Sequence, residues 1–278
     1  MHRTKQIIAV TAVVLLMGFL LAQPIKGLVN EDKSTADAAG AGAANTVNFE
    51  LVSQQAKRGL NASIIQEISD LESKLADASG TAKLDLLEQL AAKWDDVNES
   101  APLGFVYEEM AKIDPQFSYW LKAGDAYRAA YTNLQDTVTA RALNDYAINA
   151  YEQALEINSA DLDAKTGLGS AYVSGTNNPM AGIALLQEVV KADPDHVGAN
   201  KSLGLFSMQS RQFDRAIDRF KKVVALQPDA ESYFYLATSY ENIGLNREAV
   251  AAFEKSRDLA ADPTLTQFIN RKIDELSK

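Results

Sequence analysis

Apolar residues recur along most of this chain at alternating spacings of three and four, the period of a helix with one buried side. The stretch 47–60 places Phe49, Val52, Ala56 and Leu60 on one side. The next stretch places Ile64, Ile68, Leu71 and Leu75 on a narrow stripe with acidic residues outside it. Helices are predicted for both, as a pair that caps the N-terminal end of the remaining chain; a short coiled-coil seam for self-association is the alternative. One run breaks the pattern: Ile7 to Ala22 is apolar apart from Thr11 and Gly18. That length falls near the lower end of what crosses a bilayer as a helix. The run is preceded by Arg3 and Lys5, so an anchor would leave the N-terminus in the cytoplasm and the remainder outside. A cleaved signal peptide competes with it, but Leu20 before Ala22, and Gln23-Pro24 after it, make a mediocre cleavage site. The anchor, 7–23, is the favoured reading. Residues 24–46 are small and polar and read as a flexible linker.

From Leu84 onward the pattern repeats. "SLGLFSMQSRQFDRAIDRFKKVVALQP" holds Leu203, Gly204, Ala216, Phe220 and Pro228. Comparable sets are Trp120, Gly124, Tyr127, Ala147 and Tyr151; Leu168, Gly169, Tyr172 and Gly182; and Leu236, Ala237, Tyr240, Ala249 and Phe253. A degenerate first copy has Leu87, Leu90, Ala91, Trp94, Leu103, Tyr107 and Pro115. Self-similarity with a period of about 34 residues marks an array of helical hairpins. A glycine inside a helix costs about 1 kcal/mol relative to alanine. Gly204 therefore needs a packing reason, and close approach to the second helix of its hairpin supplies one; Gly204→Leu is expected to overpack that contact.

The spacing resembles the tetratricopeptide repeat, W-x2-L-G-x2-Y followed by A-x3-F and P, across about two thirds of the chain. The resemblance implies an all-α superhelix of five units, 84–117, 118–161, 162–196, 197–230 and 231–263, with a capping helix at 264–278. A segment at 132–140 is an insertion in the second unit. In such arrays the first helix of each hairpin lines a concave groove that takes an extended peptide or a partner helix. Carried over position by position, the groove includes Asp125 and Arg128, Thr166 and Ser170, Lys201, Leu205 and Met208, and Phe234, Thr238 and Glu241. Some family members clamp a chaperone's C-terminal carboxylate with basic and amide side chains. Here the matching positions hold Leu121, Asp125, Thr166, Ser170 and Ser202, with only Lys201 basic, so that ligand is not implied.

Charge and composition narrow the rest. Among 278 residues, 27 are Lys or Arg and 37 Asp or Glu, for a net charge of −10. No basic run exceeds two residues, which argues against nucleic acid. There is no cysteine, and the only histidines are His2 and His196, which leaves no thiolate or multi-histidine metal site. Adjacent acids such as Glu108-Glu109 point to different sides of a helix and read as a solvated face rather than an acid–base pair. "GTNNPMAG" lacks the lysine of a phosphate loop. The expectation is a non-enzymatic scaffold without cofactors, held at a bacterial inner membrane with its repeats in the periplasm. Its partner would be another protein or peptide.

Overall fold

The computed structural model describes residues 47–133 and 137–278. Thirteen helices and no strand occur among the described residues. They are α1 (Phe49–Lys57), α2 (Ala62–Asp77), α3 (Gly80–Asp96), α4 (Ser100–Ile113), α5 (Phe117–Asn133), α6 (Thr137–Ile157) and α7 (Leu162–Gly175). Then come α8 (Pro179–Ala192), α9 (Val197–Gln209), α10 (Phe213–Leu226), α11 (Ala230–Asn242), α12 (Asn246–Leu259) and α13 (Pro263–Leu276). The proposed anchor and linker lie outside the described residues. Within them, no helix is long and apolar enough to cross a membrane.

Local chemistry sets the breaks. Asn48, Asn61, Asp161 and Asp229 each accept a backbone N–H three residues on, at 2.8–3.1 Å, satisfying one of the donors a helix start leaves open. Pro179 and Pro263 occupy first helical positions, where a missing N–H does no harm. His196 caps α9: its Nδ1 accepts from the Ala199 amide at 3.2 Å, and its Nε2 lies 3.2 Å from Asp163 Oδ1. The lone internal histidine is thus a structural cap that also ties one hairpin to the next.

The Asp229 cap carries a checkable consequence. Partial burial pushes its carboxyl up, but the Ser232 hydroxyl and amide and nearby Lys201 outweigh that and hold it below the ordinary value. A depressed carboxyl stabilises the fold above its unfolded value and loses that contribution as pH falls through the folded one. Asp229→Ala is expected to cost about 1 kcal/mol at neutral pH. The difference in urea midpoint from the parent should narrow between about pH 5 and pH 2.

Helices pair as α3/α4, α5/α6, α7/α8, α9/α10 and α11/α12, and each second helix also packs on the first helix of the next pair. Helix α13 closes on α12, burying Ile269 completely. At the other end α2 packs on α3 and α1 on α4, linked by Ser53 and Lys57 to Glu72. The described part of the inserted segment continues its two helices: α5 has 17 residues and α6 has 21, against 13 or 14 in each of the three later pairs.

Trp94, Tyr127, Tyr151, Phe220 and Phe253 are fully buried, one large aromatic after another along the array. Glycines make room for several of them. A β-carbon on Gly204 would lie 2.9–3.2 Å from the Phe220 ring, so the space at Gly204 is filled by that ring rather than by the partner backbone. Backbone meets backbone in the third pair instead, where a β-carbon on Gly182 would fall 2.3 Å from the Gly169 carbonyl oxygen.

Candidate functional site

Successive first helices touch one another, α5 with α7, α7 with α9 and α9 with α11, and no second helix packs comparably on the next. The first helices therefore form the inner layer of the curve, and the side chains they turn away from their own second helices make its concave surface.

Along the C-terminal half of that surface, neighbouring repeats hold each other. Lys201 pairs with Glu231 at 2.6 Å and Glu241 with Lys272 at 2.8 Å. Leu205 and Met208 are half-buried against the core shared by the last two pairs. Phe234 sits in the same core, with ring centroids 5.6 Å from Phe253 and 5.9 Å from Phe268. Thr238 donates back to the Phe234 carbonyl at 2.9 Å. In the middle, Thr166 and Ser170 are buried. Ser170 Oγ donates to the Thr166 carbonyl at 2.7 Å and lies 2.8 Å from Ser202 Oγ.

The N-terminal half is more open. Asp125 and Arg128 are both exposed on α5. Between them rises a group the repeat pattern does not supply. Tyr151 occupies the position of Phe220, and its ring lies between α5 and α7, against Gly124 and Gly167. Its hydroxyl ends beneath the groove floor, without solvent exposure, where it donates to Asp125 Oδ1 at 2.7 Å and accepts from Arg128 Nε at 3.3 Å. Burial and the Asp125 carboxylate push the Tyr151 hydroxyl well above the ordinary phenol value, so it remains a donor. Asp125 is displaced upward too. Desolvation by the surrounding concave wall dominates, with Asp163 and Asp161 adding repulsion; Tyr151 and Arg128 only partly oppose it. A carboxylate that is accessible yet short of counter-charge suits an incoming cation. Tyr151 was legible as a tyrosine in a phenylalanine position, but its reach to the floor depends on the two glycines beside it.

The Glu108-Glu109 pair is structural. Glu108 accepts from the Tyr127 hydroxyl and pairs with Lys112 at 2.7 Å; Glu109 pairs with Lys83 at 2.7 Å. No cluster of metal-ligating side chains occurs among the described residues.

The tetratricopeptide-repeat family profile matches residues 207–264, the stretch from the end of α9 to the start of α13. Residues 207–264 are thus tetratricopeptide-repeat sequence. Two solved structures show the same fold. A tetratricopeptide repeat protein from Parabacteroides merdae is 16% identical, with a TM-score of 0.55 over 82% of this chain and 86% of its own. A thermophilic protein of the same repeat type from Thermus thermophilus is also 16% identical, with a TM-score of 0.54 over 68% of this chain and 98% of its own. No curated protein matches the sequence. At these identities the likeness extends to the tetratricopeptide architecture and no further.

Proposed function

We propose that this protein is a tetratricopeptide scaffold that captures a segment of another protein in its concave groove, while residues 7–23 tether it to a membrane. The observation that carries the groove reading is the Asp125–Tyr151–Arg128 set: an accessible, under-compensated carboxylate fixed by a hydroxyl that the repeat pattern does not require. A lysine or arginine of the bound segment would supply the missing counter-charge, with Arg128 free to meet a carboxylate or carbonyl beside it. The tether would concentrate the groove near membrane complexes, and assembly of an envelope complex is the role this combination supports.

Asp125→Asn tests the groove. Asparagine still accepts the Tyr151 hydrogen bond but removes the charge. Capture of a lysine-bearing segment is expected to weaken about tenfold or more. Stability should move the other way. A carboxyl raised in the folded state opposes folding once ionised, so the variant should melt no lower than the parent above the folded value. Any gain should fade as pH falls toward the unfolded value. A photocrosslinking side chain at Leu121, on the same helix, reads occupancy directly in the native membrane fraction. Crosslinks lost on Asp125→Asn support the reading, and crosslinks unchanged by it overturn it. Carbonate washing of that fraction tests the tether, which predicts an intact Met1 retained in the pellet.

A further inference from the structure

A second surface lies between the second helices, away from the concave floor. A cleft of about 690 Å³ opens between α8 and α10 above α9. Ile183, Leu203 and Phe206 form its apolar base, and Met180, 66% exposed, stands at its edge. Arg215, Arg219 and Lys222 line one wall at positions i, i+4 and i+7 of α10, together with Asp218. Lys222 is committed to the Pro194 carbonyl at 2.9 Å and to Asp195 at 3.3 Å. The two arginines are not neutralised. Arg215 donates to Gln212 and Arg219 to Asn200 Oδ1, and neither has a carboxylate within 4.0 Å among the described residues.

Like charges four apart on a helix repel. This pair persists in a chain with ten more acids than bases. The excess is local: residues 197–230 hold six basic and three acidic side chains, whereas 47–116 hold six basic and thirteen acidic. A walled recess with an apolar base fits a peptide better than a flat lipid surface. Two adjacent guanidinium forks match carboxylates.

We propose that the α8–α10 cleft is a second docking site, for an acidic peptide segment whose apolar side chain rests on Met180 and Phe206 while its carboxylates meet Arg215 and Arg219. It is distinct from the concave groove, whose exposed carboxylate selects the opposite charge.

The test uses the full-length protein in neutral detergent and a fluorescein-labelled peptide of three Asp-Glu-Glu-Leu repeats, read by anisotropy, beside its Asn-Gln-Gln-Leu counterpart. Binding of the acidic peptide alone is expected, weakening with salt. Arg215→Gln combined with Arg219→Gln should reduce it about tenfold or more. Arg215→Gln alone, which disturbs only the Gln212 contact, should give part of that loss with unchanged circular dichroism. Arg247→Gln, at an exposed position on α12 outside the cleft, should leave it intact. Equal binding by the double variant, equal binding of the amide peptide, or loss through Arg247→Gln would each overturn the proposal. So would retention on phosphatidylglycerol vesicles without any peptide binding.

Discussion

Replacing Phe220 by alanine is expected to lower stability by about 3–5 kcal/mol, the usual range for deleting a fully buried phenylalanine. The ring has no solvent exposure and touches Gly204 on the first helix of its own pair. It also stands 5.4 Å, centroid to centroid, from Tyr235 on the next pair. One side chain therefore serves both the hairpin and its junction. In an array where each unit contacts only its neighbours, such a loss should loosen the end beyond it first. Hydrogen exchange should show α9 to α13 losing protection before α3 to α6. Gly204→Ala separates ring contact from backbone effects. In the parent, the added methyl meets the ring at 2.9 Å and should destabilise. With Phe220→Ala that obstacle is gone, and the same methyl should stabilise by up to about 1 kcal/mol through helix propensity. An unchanged sign in both backgrounds would show that Gly204 is kept for something other than the ring.

That reversal bears on what could be read from the sequence. The leucine–glycine–aromatic spacing revealed the helical hairpins, because a periodic apolar stripe with a small residue at the crossing has few other solutions. It did not reveal what each glycine faces. At Gly204 the neighbour is a ring, at Gly182 a carbonyl, and at Gly124 and Gly167 the two sides of Tyr151. Sequence spacing places residues on a face, but the depth to which a neighbouring helix inserts is decided by packing. The groove shows the same division. Asp125 is exposed on the first-helix layer, whereas Ser170, at the equivalent position one unit on, is buried, as is Thr166 beside it. Helices α7 and α9 approach closely enough there for Ser170 and Ser202 to bond, and their small side chains permit that approach. Lys201 and Glu241 are each tied to a charge on the next helix but one, pairings that need both helices in place. The cleft between α8 and α10 left only a faint trace, the basic excess of one repeat. Its recess exists because the outer helices stand apart.

Among single-methyl additions, Gly182→Ala is expected to be the most damaging. The Phe220 and Tyr151 rings can tilt away from a new methyl. A helix backbone cannot, and at Gly182 the β-carbon would lie 2.3 Å from the Gly169 carbonyl oxygen, with the Val173 and Tyr172 side chains within 2.9 Å. Helices α7 and α8 must therefore separate. Overpacking of this kind costs about 1–3 kcal/mol, and alanine's better helix propensity recovers only about 1 kcal/mol. A net loss of about 1 kcal/mol, rising to about 2 at most, is the expected result by urea denaturation. Gly59→Ala, whose new carbon meets nothing closer than 4.0 Å, serves as the control. The consequence should extend to the groove. Helix α7 carries Gly167 against the Tyr151 ring and Asp163 against His196. Moving it shifts the wall that aims the Tyr151 hydroxyl at Asp125. Gly182→Ala should thus weaken capture of a basic segment even under conditions where the protein remains folded, while Gly59→Ala leaves both readouts unchanged. Loss of stability with full capture would mean that the Asp125–Tyr151 geometry is held by α5 and α6 alone.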